Sequence, residues 1–467
     1  MKRILFIFLL SVVTLLANAQ CTFERFYKYY SDNQWATKTI KVKDGGFVTV
    51  TGMCYDSLNP GFSNGQDIDM CIVKDDSCGN TLWKTHYGYP SEGDDAIDAV
   101  ETDSGDYLVM GTASFQQAFH NIRVAKFSKN GELIWSKLYS GSTESYASGT
   151  IIKRKNKNTY VVYGGKQFYY NPAPPVGKGY VFEIDNYGTI LKNVDLLYNT
   201  AIRKTFEIND TTYLMLISGL DSLFLAETDT SFKVRWIKQL FTDTIVKVTK
   251  FYDACLSYDR QSIAISFDGT YRPPANDDHL VARISLTGEP IIYKPLREPF
   301  SFVTCIIPTP NNGYIMGTGM LYTDSNFNYI KYQYYRGGFA SLVLNDDGSV
   351  TASGVGGDSS AVAAELYIIK VDSAGNTTYS SVNELPKELN YLTIYPNPAN
   401  DQLHIITNTS HRFQIEMMNA TGQTIYSSVF ISEATINTQL FSEGIYFLRV
   451  TDVNLGIATM QKVVVMK

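Results

Sequence analysis

The side chains able to do acid–base, nucleophilic or metal chemistry are scattered along this chain. Five histidines, His86, His120, His279, His404 and His411, stand singly, two of them close to the C-terminus, and each reads as a surface or locally bonded ring. Ser353-Gly354-Val355-Gly356-Gly357 lacks the residue order of a nucleophile elbow and lies in strand and loop. Carboxylates gather at Asp67 and Asp69, at Glu92, Asp94, Asp95 and Asp98, and at Asp277-Asp278. The first two groups offer hard oxygens of the kind calcium takes, but the order of a calcium-binding loop is missing; solvated loop is the reading and calcium the alternative. Six cysteines, Cys21, Cys54, Cys71, Cys78, Cys255 and Cys305, make an even set that permits disulfides outside the cytoplasm. Cys71 and Cys78 flank one turn, so a bridge between them and a buried thiol on each strand are both open. Zinc would call for CxxC spacing or clustered histidines, and only His86 lies near. No catalytic, cofactor or metal residues are assigned. The strongest binding feature is Phe168-Tyr169-Tyr170, followed by Pro172, Pro174 and Pro175, where flat rings with polar tips suit a glycan or a protein partner. The tyrosines at 329, 332, 334 and 335, ahead of Arg336, read as packing between strands.

The elements that carry these residues are strands. Ile122 to Tyr139 alternates apolar and polar residues on both sides of a turn ending at Gly131, with Trp135 four residues beyond it. Asp75 to Trp83, Asp185 to Leu191, Asp229 to Trp236, Ser285 to Tyr293 and Asp372 to Tyr379 repeat that hairpin. A second motif, an aromatic or branched residue, a short apolar run and glycine, starts at Phe47, Tyr107, Tyr160, Tyr213, Ile263, Tyr314 and Val350. Those starts are 60, 53, 53, 50, 51 and 36 residues apart. Four antiparallel strands at such a period predict the blades of a β-propeller over 20–380, seven by the motif count and alternatively six, because the unit at Tyr314 shows no matching hairpin turn. The segment Trp35 to Val42 is the expected strand that closes the ring against the last blade.

Lys2 and Arg3 precede an apolar run to Leu16 and the small-x-small Ala17-Asn18-Ala19, so residues 1–19 read as a secretory signal peptide. No later stretch is apolar enough to span a bilayer, so an integral membrane protein is not expected. Counting 40 Lys+Arg against 46 Asp+Glu, the net is −6, and removal of Lys2 and Arg3 makes it −8 (38 − 46). No basic stripe interrupts that surface, which argues against nucleic acid as a partner.

Residues 381–390 are polar, contain Pro386 and lack periodicity, as a linker does, and 391–467 carry short alternating strands suited to a small immunoglobulin-like β-sandwich. The matching residues here are Tyr395, Pro396, Asn397, Pro398 and Ala399, then Gly422-Gln423, then Gly444 to Leu448 with Tyr446 among them, and a basic-apolar end, Lys462 to Lys467. In that order they resemble the type A C-terminal sorting domain of the type IX secretion system of Bacteroidetes. The resemblance implies recognition by that secretion machinery and a body secreted or attached to the outer cell surface. The body itself resembles the secreted repeat propellers of the same bacteria, on Asp44-Gly45-Gly46-Phe47 and Lys74 to Trp83. With catalytic groups unassigned, a binding or adhesion module is the expected function, and a propeller hydrolase or lyase acting on glycans the alternative.

Overall fold

The structure is a computed structural model in which the described residues are 21–27, 35–54, 69–88, 92–115, 119–139, 144–168, 176–198, 200–242, 245–271, 277–296, 303–317, 319–356, 365–377, 392–407, 411–419, 422–452 and 457–466. The chain divides into two units, Met1–Tyr379 and Ser380–Lys467.

In the first unit the alternating, aromatic and β-branched segments form seven four-stranded antiparallel sheets. Their first strands are Trp35–Lys41, Glu92–Glu101, Glu144–Lys153, Ala201–Asn209, Ile245–Leu256, Cys305–Pro308 and Gly337–Leu344. Strand alternation sends successive side chains to opposite faces, so each sheet packs on both neighbours. In the second sheet, Tyr107 and Val109 join a core with Val48 and Val50 of the first. Leu108 and Met110 join one with Tyr160 and Val162 of the third. Such cores link the third sheet to the fourth, the fourth to the fifth, the fifth to the sixth and the sixth to the seventh. A last core, holding Phe23, Tyr27, Ala36, Phe47, Leu366 and Ile368, joins the seventh to the first. The run of cores closes, and the architecture is a seven-bladed β-propeller whose first strands surround the axis.

Three sequence expectations change. The ring is closed by Phe23–Tyr27, which pairs antiparallel with Glu365–Val371 as the outer strand of blade 7, whereas Trp35–Lys41 is the innermost strand of blade 1. The N-terminal strand therefore takes the place that the second arm of the Asp372 hairpin was expected to fill. Blade 6 is a full sheet of short strands. Its hairpin turn, Asp324 to Asn328, carries neither mark of the other hairpins: Phe327 holds the glycine position, with φ 56°, and Lys331 stands where a tryptophan would follow. Blade 4 likewise has Phe232 at the glycine position, with φ 63°. The left-handed conformation costs a non-glycine residue on the order of 1 kcal/mol, and burial of each ring against a tyrosine, Tyr213 or Tyr314, offsets it. Finally, Cys78 is bonded to Cys21, not to Cys71, and Cys71 is itself in a disulfide.

Where glycine does sit in the turn, the next-door blade uses the space. A Cβ on Gly131 would lie 2.8 Å from the ring of Trp83, and one on Gly188 would lie 2.8 Å from Trp135. Trp83 Nε1 also donates to the carbonyl of Lys129 in that neighbouring turn at 3.0 Å. In blade 3 Lys192 stands in place of the tryptophan and keeps the link, donating to the carbonyl of Thr230 at 2.8 Å.

The second unit is a sandwich of a three-stranded sheet, Leu392–Tyr395, Gln402–Thr407 and Glu433–Asn437, and a four-stranded one, Phe413–Met418, Thr424–Phe430, Gly444–Asp452 and Ile457–Val465. Leu403, Ile405, Phe413, Ile415, Leu448 and Val450 fill its core.

Candidate functional site

Antiparallel order places the connections of every blade alternately at its two ends. At one end sit the turns between first and second strands and between third and fourth strands. These are short and mostly of five residues: 42–46, 102–106, 154–158, 257–261, 309–313 and 345–349 in the first group, with 210–211 shorter, and 76–80, 128–132, 229–233 and 324–328 in the second, with 186–189 and 286–289 one residue shorter. A side-chain oxygen locks most of the second group. Oδ1 of Asp76, Asp229 and Asp324 accepts from the amides two and four residues on, and Ser128 Oγ does likewise. The opposite end carries connections of unequal length, among them 55–68, 116–118, 169–175, 272–276, 318–319 and 357–364. Phe168 ends the second strand of blade 3 at this variable end; Tyr169 and Tyr170 lie outside the described residues. Of the other aromatic run, Tyr335 is buried with its hydroxyl donating to the carbonyl of Gly375 at 2.7 Å, while Tyr329 and Tyr334 are exposed. Packing explains the first and not the other two.

The axis is lined by the first strands; five of the seven carry a bulge at a corresponding place, between Ala36 and Lys38, Ala96 and Asp98, Ile202 and Lys204, Phe251 and Asp253, and Phe339 and Ser341, and blade 3 has one two residues further from the turn, between Tyr146 and Ser148. Charges meet at this level. Lys204 Nζ lies 2.7 Å from Asp253 Oδ1, and the amide of Ile306 in the next blade donates to Asp253 Oδ2 at 3.2 Å. Asp98 repeats the device between blades 2 and 3, accepting from the amide of Ile151 at 3.2 Å and from the hydroxyl of Thr150. Burial works against the charge of Lys204, but the carboxylate of Asp253, and more weakly that of Asp98, outweighs it and holds the ammonium well above the ordinary lysine range. A cavity of 390 Å³ opens here, lined by Lys38, Lys204, Asp253, Cys305 and Ser341 and reaching Tyr258 and Arg260 at the short-turn end. Burial disfavours the thiolate of both its cysteines, pushing Cys305 up to about 12 and raising Cys255 as well.

Of the carboxylates read as solvated loop, with calcium the alternative, Asp94 and Asp98 are instead buried in the strand Glu92–Glu101: Asp94 lies against Arg123 Nε at 2.6 Å, and Asp98 is held as above. Among the described residues no three His, Cys, Asp or Glu side chains converge as a metal site.

One grouping escaped the sequence. In blade 5, Ser266 Oγ lies 3.1 Å from His279 Nε2, and His279 Nδ1 lies 2.8 Å from Asp268 Oδ1. The other Asp268 oxygen accepts from the Tyr252 hydroxyl at 2.6 Å. That is the order of a nucleophile, a base and an orienting carboxylate. Yet Ser266 Oγ donates to the carbonyl of Val303 at 2.9 Å, and the Val303 amide donates to His279 Nε2 at 3.2 Å. With both groups satisfied by backbone and Ser266 fully buried, the cluster clamps blade 6 onto blade 5 and presents no nucleophile to a substrate. Burial holds the imidazole below its ordinary value against the pull of Asp268, so the ring is neutral near pH 7. Only the strand register, which sets Asp268 opposite His279, reveals the pair.

In the second unit the separated parts of the C-terminal motif come together. Tyr395 ends the first strand and is half exposed, and cis bonds precede Pro396 and Pro398. The side chain of Asn397 then acts as a strand edge: Nδ2 donates to the carbonyl of Lys462 at 2.7 Å, and the amide of Val464 donates to Oδ1 at 2.9 Å. Ala399 extends the pairing, its amide donating to Val464 O at 2.8 Å and its carbonyl accepting from Met466 N at 2.9 Å. Gly422 closes the turn from Asn419 with φ 82°. Gly444 opens a central strand, and in that strand Tyr446 packs into the core and donates to the carbonyl of Ser442 at 2.8 Å. Lys467 lies outside the described residues.

Ring closure in the first unit and the two packed sheets of the second define a β-propeller followed by a small C-terminal β-sandwich. Residues 393–466 match the family model for the secretion system C-terminal sorting domain, and this unit is the sorting domain of the type IX system. No curated protein matches the chain. Similar solved structures include PorZ, a surface component of the type IX secretion system of Porphyromonas gingivalis, at 9% identity over 95% of this chain and 100% of that one, TM-score 0.21. They also include the β-propeller domain of the Trilobed protease from Pyrococcus furiosus, at 10% identity over 77% and 100%, TM-score 0.44. A third is the Pyrococcus horikoshii acylaminoacyl peptidase, at 11% identity, covering 80% of this chain and 58% of that one, TM-score 0.42. The propeller assignment rests on sheet order and the closed run of cores. Among the described residues no helix is long and apolar enough to cross a membrane.

Proposed function

We propose that this is an exported binding module, carried out of the cell by its sorting domain and then held on the outer surface or released, which engages a glycan or a protein through the variable end of the propeller. The observation that carries the reading is the contrast between ends. One carries short turns of two to five residues, most of them five, while the other varies more widely from blade to blade in the length of its connections, as a scaffold does when function is carried by loops. Phe168, Tyr169 and Tyr170 lead into one of those connections and are the proposed contact residues. Commitment of Ser266 and His279 to the backbone of Val303, with Asp268 held by His279 and Tyr252, supports binding over hydrolysis. A signal peptide over 1–19 and the tail support the route to the exterior. The test is a binding screen of the intact mature chain against surface glycans and secreted proteins, run beside a panel of glycoside, ester and peptide substrates. Saturable binding with no turnover is expected. Turnover that Ser266→Ala abolishes would overturn the reading.

A further inference from the structure

We infer that the axial cavity at the short-turn end is a binding site for a small carboxylate, separate from the surface proposed above. The charged side chains that line it are Lys38, Lys204, Arg260 and Asp253. Three cations against one anion leave +2 (3 − 1), in a chain whose net charge is −6. Lys204 is matched by Asp253 at 2.7 Å. Arg260 gives one Nη to the carbonyl of Glu207 at 2.7 Å, leaving the rest of its fork. Lys38 has neither an ion pair nor a hydrogen bond among the described residues, although it sits in the half-buried wall.

The ammonium of half-buried Lys38 carries no paired carboxylate among the described residues, and the protein walls beside it concentrate its field on an anion that enters. The volume of 390 Å³ suits a molecule of small-metabolite or monosaccharide size. A carboxylate fits best, because its oxygens accept a charge-assisted bond from the Lys38 ammonium, and the exposed guanidinium of Arg260 adds positive charge at the turn end of the cavity. Apolar walls from Phe206, Ile307 and Leu342 favour a compact carbon skeleton over a bare ion.

Isothermal titration calorimetry of the full mature chain at low salt tests this, with citrate and galacturonate as probes and galactose as the neutral counterpart. Both acids bind and galactose does not. Lys38→Gln weakens the acids by about ten- to a hundred-fold, the loss expected for one charge-assisted contact. Lys38→Arg retains them within a few-fold, and Lys238→Gln, on the outer strand of blade 4, leaves them unchanged. Arg260→Gln supplies an independent loss should Lys38→Gln not fold. Absence of heat with either acid, equal binding of galactose, or unchanged affinity in folded Lys38→Gln would overturn the inference.

Discussion

Replacing Cys21 and Cys78 together with serine opens the propeller at its seam. The closing strand is five residues long. Its packing is good, with Phe23 and Tyr27 buried, Phe26 stacked on Tyr367 at 4.7 Å, and Arg25 donating to Asn80 Oδ1 at 3.1 Å. Its sheet partner is nevertheless more than three hundred residues away in sequence, so closure entropy falls heavily on the disulfide. The bridge spans a sequence separation of 57. Loop-closure entropy for a ring of that size amounts to about 4 kcal/mol at room temperature. Replacing both residues avoids a stray thiol. Hydrogen exchange should then show lost protection at Phe23–Tyr27 and its partner Glu365–Val371 first, with blades 3 and 4 changing least. Denaturant unfolding of the propeller should move down by a comparable amount, and the sandwich transition should stay. If the double variant unfolds within about 0.5 kcal/mol of the parent, or if protection falls evenly around the ring, the seam is not where the propeller is weakest.

Three further outcomes follow from the geometry. Gly131→Ala puts a methyl group within 2.8 Å of Trp83 and a Cβ on a residue with φ 86°; it should cost about 1–3 kcal/mol, whereas an equal change at Gly422, where a Cβ meets nothing within 4 Å, should cost less. Asn397→Ala removes two hydrogen bonds to the last strand and should expose the Val464 amide to exchange while destabilising the sandwich by about 1–2 kcal/mol; unchanged exchange there would count against the clasp. For His279, a folded-state value below the unfolded one means that the unfolded chain binds the proton more readily, so this contribution is intact above roughly pH 6.5 and is lost as pH falls below it. A proton-NMR titration in which the His279 ring protonates at or above the ordinary histidine value would refute the assignment.

Blade repeats were legible because each is written locally, in a period-two strand and a turn with an αL glycine. Sequence reading failed where a residue did the job of a different one or a partner was remote. The sixth turn was hidden because Phe327 takes the glycine's place and Lys331 the tryptophan's, whereas Trp236 still marks the fourth, and Lys192 keeps the tryptophan's hydrogen bond with no aromatic to mark it. Phe23–Tyr27 alternates like any strand, and nothing in its vicinity announces Glu365–Val371 as its neighbour. The approach of Asp268 to His279 and of Asn397 to Lys462 likewise depends on register and on sandwich closure. By contrast, the tail was readable because its motif residues are bunched at the places where the chain turns or docks.

The binding proposal meets its most direct test when the intact mature chain is titrated against the glycan or surface protein found in the screen, comparing Phe168→Ala/Tyr169→Ala/Tyr170→Ala with Asn130→Ala/Glu132→Ala on the opposite end. Loss of affinity in the first variant alone is the predicted result. Equal affinity in both, or loss confined to the second, would contradict it.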